Sequence, residues 1–377
     1  MRLVIDDEQK LLQQTAVQFL TQHSPVSRFR QLREDTTPLD LGLYRQMAEL
    51  GWSAMTLPER YEGLDLGFAE LALVLEALGA QLAPEPFVST LMASQALLLS
   101  DATELKARWL PKVAAGHSLL TLAHAEPQGR YRPLEISTRA VREGAGWRLH
   151  GTKTDVLDAA ESDAVLCPAA ISAGGGGADT VGLFLVSQGA DGMSLSPLRR
   201  VDCRSAARIT LDGVTVGDGA VLSTDAGPLI EAAIDRATIA LCAEMLGGMN
   251  EAFRITLDYL KERKQFGVPI GSFQALKHRA AYLYTELTLA RSAVLAATRT
   301  VDDAMGQARI PMMASLVKAR CSDTFVRVAS ECLQMFGGVG MTDEYDIGLY
   351  LKRARACEFT FGDAAYHRDR WATLSGY

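Results

Sequence analysis

The sequence lacks the cysteine spacings that a metal centre or a disulfide framework would use. Six cysteines are present, and none of them forms a CxxC pair or another short spacing. We therefore expect reduced cysteines that serve packing, and no metal site. The cysteines are Cys167, Cys203, Cys242, Cys321, Cys332 and Cys357.

The sequence also lacks a basic excess and a long apolar run. Lys and Arg number 38 against 45 Asp and Glu, a net charge of −7, which argues against a nucleic-acid partner. The apolar run LALVLEAL at 71–78 is short of the roughly 20 residues that span a bilayer. The N-terminal MRLVIDDEQKLLQQ carries charges where an export signal needs an apolar core. We expect a cytoplasmic chain without membrane segments.

A glycine run at 174–177 lacks the Lys and the following helix of a phosphate-binding loop. We interpret it as a hairpin or a loop linker.

The 377 residues are enough for two or three structural units. Apolar residues recur at helical spacing up to about residue 115, and LPERYEGLDLGF at 57–68 interrupts them as a Pro- and Gly-rich loop. Short runs rich in Val, Leu, Thr and Ile follow, and helical spacing returns after Leu222. The patterns predict an α+β multidomain chain. Its parts are an N-terminal α-helical domain (1–115), a middle β-barrel or β-sandwich domain (116–222) and a C-terminal four-helix bundle (223–377).

Two stretches carry candidate binding residues. RKQFGVPIGSFQALKH at 263–278 ends one helix with cations, turns at Gly and Pro, and starts another helix near Gln274. Cations near a helix C-terminus have a sufficient structural explanation in the helix dipole. Alternatively, Arg263 is a forked anchor for a pyrophosphate, and Gln274 bonds a ribose or an adenine. The second stretch, QMFGGVGMTDEY at 334–345, is either a glycine C-cap or a backbone open to a nucleotide.

Taken together and in this order, the two stretches resemble the C-terminal signatures of the acyl-CoA dehydrogenase family. The longer segments are YLKERKQFGVPIGSFQALKHRAAYL and QMFGGVGMTDEYDIGLYLKRAR. LPERYEGLDLGFAELALVLEALG resembles the family's N-terminal region, and DGVTVGDGAVL resembles the end of its β domain. The resemblance covers nearly the whole chain.

The resemblance implies the family's fold and an FAD-dependent α,β-dehydrogenation of an acyl-CoA, with electrons passing to an electron-transferring flavoprotein. It also implies that each FAD is shared across a subunit boundary, so that one chain holds the adenosine half of a cofactor seated in another. The cofactor-binding residues that we predict are Arg263, Phe266, Phe273, Gln274, His278, Gln334, Met335, Phe336, Gly337 and Gly338.

This chain departs from the family at the flavin-ring contacts. The family's Thr-Glu-Pro segment is followed by Gly and Ser, and it also has a Lys-x-Trp-x-Thr segment. Here the corresponding segments are Ala125-Glu126-Pro127-Gln128-Gly129-Arg130 and Lys153-Thr154-Asp155-Val156-Leu157. The hydroxyl donors and the indole are therefore missing.

The chain also departs from the family at the position of the catalytic base. Gly362 stands where the family usually has its Glu, and the alternative base position on the first bundle helix falls at Ala237. Asp363, one place further on, is our predicted base. Asp235 or Glu244 could substitute for it.

A further interpretation is that the chain has no base of its own. It would then be one subunit of a heterotetramer, resembling bacterial heteromeric members that act on bulky CoA esters in fatty acid or steroid catabolism. A non-catalytic partner subunit that completes the FAD site of a homologous chain, and a flavin monooxygenase or oxidase on the same fold, remain as alternatives.

Overall fold

The computed structural model describes residues 5–35, 39–172 and 179–377. The glycine run at 174–177, which we interpreted as a hairpin or linker, lies outside these residues.

Six helices form the described part of the N-terminal region. The first of them, α1, starts with a capping box, in which the Asp6 side chain accepts from the backbone N–H of Gln9 (2.9 Å) and Gln9 Oε1 accepts from the Asp6 N–H (3.2 Å). The helices are α1 (Asp7–His23), α2 (Val26–Asp35), α3 (Leu41–Glu49), α4 (Phe68–Ala80), α5 (Phe87–Leu99) and α6 (Thr103–Ala114).

The middle region is a mixed sheet of eight strands among the described residues, in the order β6-β7-β3-β2-β4-β5-β8, with β1 parallel to β4. The inward-facing side chains of these strands form one apolar cluster around Leu149, Val165 and Phe184. The strands are β1 (Leu120–Leu122), β2 (Arg139–Glu143), β3 (Gly146–Leu157), β4 (Ala164–Ile171), β5 (Thr180–Ser187), β6 (Met193–Pro197), β7 (Ala206–Gly217) and β8 (Val221–Ser223).

The C-terminal region is helical again and includes one short hairpin. Three long helices and two shorter ones account for most of it. In chain order, the helices and the hairpin are α7 (Gly227–Glu262), the hairpin strands β9 (Lys264–Gln265) and β10 (Val268–Pro269), α8 (Gln274–Asp302), α9 (Ile310–Phe336), α10 (Ile347–Phe359) and α11 (Ala364–Leu374). The predicted order of helical, sheet and helical regions is confirmed, and the predicted boundaries at 115/116 and 222/223 stay predictions.

The described residues fall into two compact groups. One comprises 5–35, 67–83 and 238–377, and the other comprises 39–66, 84–172 and 179–237. In the first group α4 and α7 cross at glycines, because a Cβ on Gly79 would lie 1.9 Å from Glu244 O and a Cβ on Gly247 would lie 1.8 Å from Glu76 O. These two positions allow the helix backbones to touch.

No helix in the described ranges is long and apolar enough to cross a bilayer. Within the same ranges, no three His, Cys, Asp or Glu side chains are grouped so that they could hold a metal ion.

A buried ion pair ties three segments of the sheet region together. Lys153 Nζ, fully buried on β3, donates to Glu126 Oε1 and to the Pro168 carbonyl on β4, both at 2.6 Å. Glu126 Oε2 accepts at 2.7 Å from the backbone N–H and the hydroxyl of Ser137. Burial alone raises the pKa of Glu126, but the Lys153 ammonium and the hydrogen bonds outweigh it and lower this pKa to about 2. The pair is therefore ionised and saturated with hydrogen bonds.

The pair makes the stability of the fold depend on pH. The folded-state pKa of Glu126 lies below its ordinary value of 4.5, so the stabilisation is complete above pH 4.5 and is lost as the pH falls towards 2. Glu126→Gln leaves Lys153 buried without its counter-ion, and we expect it to lower the free energy of unfolding at pH 7 by about 3–5 kcal/mol. Denaturant titrations at pH 7 and pH 3 measure both effects.

The matched control is Glu135→Gln, which removes an exposed pair with Arg132 and should change the free energy of unfolding by less than about 1 kcal/mol. If the difference between wild type and Glu126→Gln were the same at pH 7 and pH 3, the pair would not be the ionised one described.

Candidate functional site

The predicted nucleotide-binding residues lie where α7 ends, α8 begins and α9 ends. After Glu262 the chain forms the hairpin β9–β10, whose two-residue turn is Phe266-Gly267 with φ of +54° and +81°. Positive φ at both turn residues is the requirement of a type I′ turn, which suits the twist of a two-stranded hairpin. The Ile270 N–H then bonds back to the Arg263 carbonyl at 2.8 Å, and α8 starts at Gln274.

Aromatic packing brings the two signature stretches together. The ring of Tyr259, on the last turn of α7, stacks on the ring of Phe336 at the end of α9, with centroids 4.2 Å apart. The Tyr259 hydroxyl also donates to the Phe336 carbonyl at 3.3 Å. The Tyr345 ring stands edge-on to both rings, with its centroid 5.7 Å from that of Tyr259 and 5.2 Å from that of Phe336.

An ion pair fixes the start of α8 against the end of α9. Arg279 Nη1 lies 3.0 Å from Glu331 Oε2. Gln274 precedes Arg279 by five residues on α8, and Gln334 follows Glu331 by three residues on α9. The two predicted amide donors therefore lie at the same end of the helical bundle.

The polar members of the predicted set are available to a ligand. Arg263, Gln274, His278 and Gln334 are exposed. In the part of the chain that the structure describes, their side chains make no hydrogen bond or ion pair.

The apolar members of the set divide into two kinds. The Phe266 side chain is 92% exposed at the tip of the hairpin, and its ring stands edge-on to that of Phe273 with the ring centroids 6.0 Å apart. Met335 and Phe336 are 4% and 5% exposed, so only their backbone could reach a ligand.

The backbone of Gly337 and Gly338 is open. A Cβ placed on either glycine would meet no atom within 4 Å, and both residues are exposed. The peptide groups here can be approached closely by a ligand that any larger residue would hold away.

This end of the bundle suits the nucleotide half of a flavin. A guanidinium offers forked donors to a pyrophosphate, side-chain amides bond ribose or adenine, and an open diglycine admits close backbone contact. These are the groups that the described residues supply here.

The residues expected to contact the flavin ring do not fit it. Asp155, in the place of the family's Trp, has a φ of +48° at a bulge of β3. Arg200 Nη1 donates to its two carboxylate oxygens, Oδ1 at 2.8 Å and Oδ2 at 3.0 Å. Arg200 Nε also lies 3.3 Å from Asp202 Oδ1. Ala125 and Leu157 supply no hydroxyl, and Glu126 and Lys153 are engaged with each other.

The turn between α10 and α11 contains the predicted base. The Asp363 carboxylate is the N-cap of α11 and accepts from the Tyr366 N–H at 2.9 Å. At the preceding position, Gly362 has a φ of +114°, and a Cβ there would lie 2.6 Å from a Tyr366 ring carbon and 2.9 Å from His367 Nε2. A glutamate at 362 therefore does not fit this turn unless the backbone and its neighbours move.

A buried lysine holds the same turn, a role that the sequence analysis missed. Lys318 Nζ on α9, fully buried, donates to the carbonyls of Gly362 (2.7 Å) and Glu358 (3.1 Å) and to the Ser322 hydroxyl (2.9 Å). Three acceptors match the three donors of an ammonium. Burial lowers the pKa of Lys318, and neighbouring thiols and Asp363 oppose the shift. A lysine in the middle of an apolar helix was the available signal.

His367 supports the turn from α11. Burial and the nearby Lys318 ammonium lower its pKa to about 3, so the imidazole is neutral at pH 7. Its Nε2 lies 3.0 Å from the Phe361 carbonyl and therefore carries the proton.

The two substitute carboxylates are buried. Glu244 Oε1 pairs with Arg353 Nη2 at 2.7 Å, and the two side chains are 6% and 12% exposed. Asp235 is 3% exposed next to Arg236, whose pKa is lowered by burial and raised by that carboxylate, with burial prevailing. Ala237, at the alternative base position, is fully buried.

Comparison with known proteins gives matches along the chain. Residues 6–117 match the family model of the acyl-CoA dehydrogenase N-terminal domain, and residues 227–373 match that of the C-terminal domain. The acyl-CoA dehydrogenase FadE27 of Mycobacterium tuberculosis is 30% identical over 343 residues, 89% of this chain and 88% of the relative.

Solved structures match over almost their full length. The ChsE4-ChsE5 complex of Mycobacterium tuberculosis gives a TM-score of 0.90 at 25% identity and covers 100% of both chains. A single-residue variant of the Tcur3481-Tcur3483 steroid ACAD gives a TM-score of 0.86 at 31% identity and covers 98% of both chains. This chain therefore belongs to the acyl-CoA dehydrogenase family, flavin-dependent oxidoreductases that act on acyl-CoA thioesters.

Proposed function

We propose that this chain is one subunit of a heteromeric FAD-dependent acyl-CoA dehydrogenase, and that it holds the nucleotide half of an FAD whose ring lies in a homologous partner chain. One contrast supports the proposal. Among the described residues, the donors for a nucleotide are exposed and make no side-chain hydrogen bond at the end of the bundle, whereas the sequence has no hydroxyl or indole at the positions expected to contact the flavin ring.

The similar structures agree with an assembly of unlike chains. ChsE4-ChsE5 is a complex of two named chains, and Tcur3481-Tcur3483 is a steroid ACAD with two named components. We extend both features to this chain and propose a homologous acyl-CoA dehydrogenase partner and a bulky acyl-CoA substrate of the steroid side-chain class. An electron-transferring flavoprotein as acceptor and a cytoplasmic location belong to the same proposal.

The residues of this chain bind and orient in the assembled site. When bound, FAD supplies the hydride acceptor for the β hydrogen of the acyl group. Arg263 pairs its guanidinium with the pyrophosphate, and the amides of Gln274 and Gln334 bond the adenosine. The diglycine at 337–338 lets the backbone approach. Phe266 and Phe273 provide exposed aromatic surface that the boundary with the partner covers.

The carboxylate that takes the α proton comes, on this proposal, from the partner chain. Each candidate in this chain already has a structural task. Glu244 pairs with Arg353, Asp235 is buried next to Arg236, and Asp363 caps α11. Asp363 as the base is the alternative.

Asp363→Asn separates the two roles of Asp363. Asn caps a helix about as well as Asp, so the variant keeps the cap and removes the base. With the anaerobic, flavin-loaded complex, we expect the acyl-CoA-driven loss of flavin absorbance to proceed at the wild-type rate. Straight-chain and steroid side-chain CoA thioesters are the substrates to use.

The matched variant is Asp363→Ala, which removes the cap and should lower the free energy of unfolding by about 1 kcal/mol. A bleaching rate that falls by orders of magnitude in Asp363→Asn, with unchanged stability, would identify Asp363 as the base and remove the partner from that role.

Arg263→Gln tests the nucleotide contact. Loss of a hydrogen bond to a charged group costs about 1.5–3 kcal/mol, so we expect FAD to bind roughly 10- to 100-fold more weakly to the complex. Titration of the deflavinated complex with FAD, followed by flavin fluorescence, measures the change.

Arg254→Gln is the control for Arg263→Gln, because Arg254 lies on the same helix, is 60% exposed and pairs within its own helix with Glu251 and Asp258. It should leave FAD affinity unchanged. If Arg263→Gln also bound FAD with wild-type affinity, the proposed contact would be wrong.

A further inference from the structure

Four charged residues connect α2 to the loop that follows the diglycine. We call them the latch, and they are Arg30, Arg33, Asp343 and Asp346. Arg33 donates from Nη1 and Nη2 to the two oxygens of Asp343 at 3.1 Å and 2.7 Å. Arg30 donates from Nε to Asp346 Oδ1 at 2.9 Å, and its Nη1 lies 3.1 Å from Asp343 Oδ1. Asp343 thus bridges two guanidinium groups.

The two arginines of the latch are largely buried, while the side chains of Asp343 and Asp346 are 62% and 41% exposed. Both arginine side chains are only 20% exposed, and the Arg33–Asp343 contact is bidentate. Exposed single pairs contribute little because two mobile side chains must be ordered, but a forked contact within a network loses less on forming. Hydrogen bonds from Arg33 and Arg30 hold the pKa of Asp343 well below its usual range.

The loop that the latch holds, residues 337–346, connects α9 to α10. Its first residues are Gly337 and Gly338, whose backbone is open to a ligand. The Thr342 hydroxyl donates to the Val339 carbonyl at 2.7 Å, which closes a turn in its middle. The Tyr345 ring packs on Phe336, and the latch holds Asp343 and Asp346. The loop is therefore restrained at several points beyond the diglycine.

A loop that is ordered before its ligand arrives has less conformational entropy to lose on binding. The latch residues do not belong to the predicted cofactor set. Their side chains are engaged with one another, so their effect on a ligand passes through the loop.

We propose that Arg30 and Arg33 are positioning residues for the cofactor. They hold the 337–346 loop in the conformation that receives the nucleotide half of the partner-bound FAD. On this inference, which rests on the proposed function, helix α2 contributes to cofactor affinity without touching the cofactor. Because the latch lies near the surface, salt screens it and weakens FAD binding.

The test is a double-mutant cycle in the deflavinated complex titrated with FAD. Arg33→Gln and Asp343→Asn should each weaken FAD binding about three- to tenfold at low salt. The double variant should bind FAD no more weakly than Asp343→Asn alone, because Asp343→Asn already removes the Arg33 contact that Arg33→Gln removes. Added salt should weaken FAD binding to wild type more than to the double variant. Thermal unfolding of each variant, followed by circular dichroism, checks that the fold is kept.

Two further variants make the outcome decisive. Lys10→Gln removes the exposed pair with Asp7 on α1 and should leave FAD affinity unchanged. Arg263→Gln reports on the proposed function itself. If Arg263→Gln weakens FAD binding but the latch variants bind as wild type, the latch proposal is wrong and the proposed function stands. If Arg263→Gln also binds FAD as wild type, the proposed function fails and the latch proposal fails with it.

Discussion

The stacking of Tyr259 on Phe336 is the contact that joins the two stretches of the proposed nucleotide-binding end. The two residues are 77 positions apart in the sequence, and their ring centroids lie 4.2 Å from each other. Tyr259 lies on the last turn of α7, four residues before Arg263. Phe336 is the last residue of α9 and directly precedes the diglycine. Burial of Phe336 and the edge contacts of Tyr345 make this junction a small core of its own. Rigid support of this kind is what a binding site for a long, polar cofactor requires.

The predicted cofactor-binding residues divide into a set with available donors at the bundle end and a set in the sheet whose donors are absent or engaged. At the bundle end, a guanidinium, two amides and an open backbone have no side-chain partner within the part of the chain that the structure describes. In the sheet, the two motifs that would serve the ring have kept Glu126 and Lys153, and both are fully committed to a buried ion pair. The pair explains why the fold needs these two residues whether or not a flavin ring lies nearby. At Asp155 a network with Arg200 and Asp202 takes the place of an aromatic contact. On the proposed function, a partner chain supplies the contacts to the flavin ring.

Strong periodicity along the chain was enough to predict most of the fold. The apolar patterns predicted a helical region, a β region and a second helical region in that order, and the structure has them. No pattern singled out helix α5 within the predicted helical region, because every residue from Phe87 to Leu97 is buried, which leaves no alternation to detect. Strand β6 escaped for the opposite reason, since its residues are largely exposed. The two signatures were found by resemblance. The partners of Lys318 lie 40 and 44 residues away, and Arg33 and Asp343 of the latch are 310 residues apart, so no local pattern could predict these contacts.

The central claim is that Arg263 and Gln274 bind a flavin nucleotide that belongs to another chain. A high-resolution structure of the flavin-loaded oligomer tests it most directly, by the distances from these two side chains to the FAD atoms. We expect the Arg263 guanidinium within hydrogen-bond distance of the pyrophosphate, and the Gln274 amide within reach of the adenosine, of an FAD whose ring lies in the neighbouring chain. Both side chains turned into solvent, or an FAD held entirely within one chain, would contradict it.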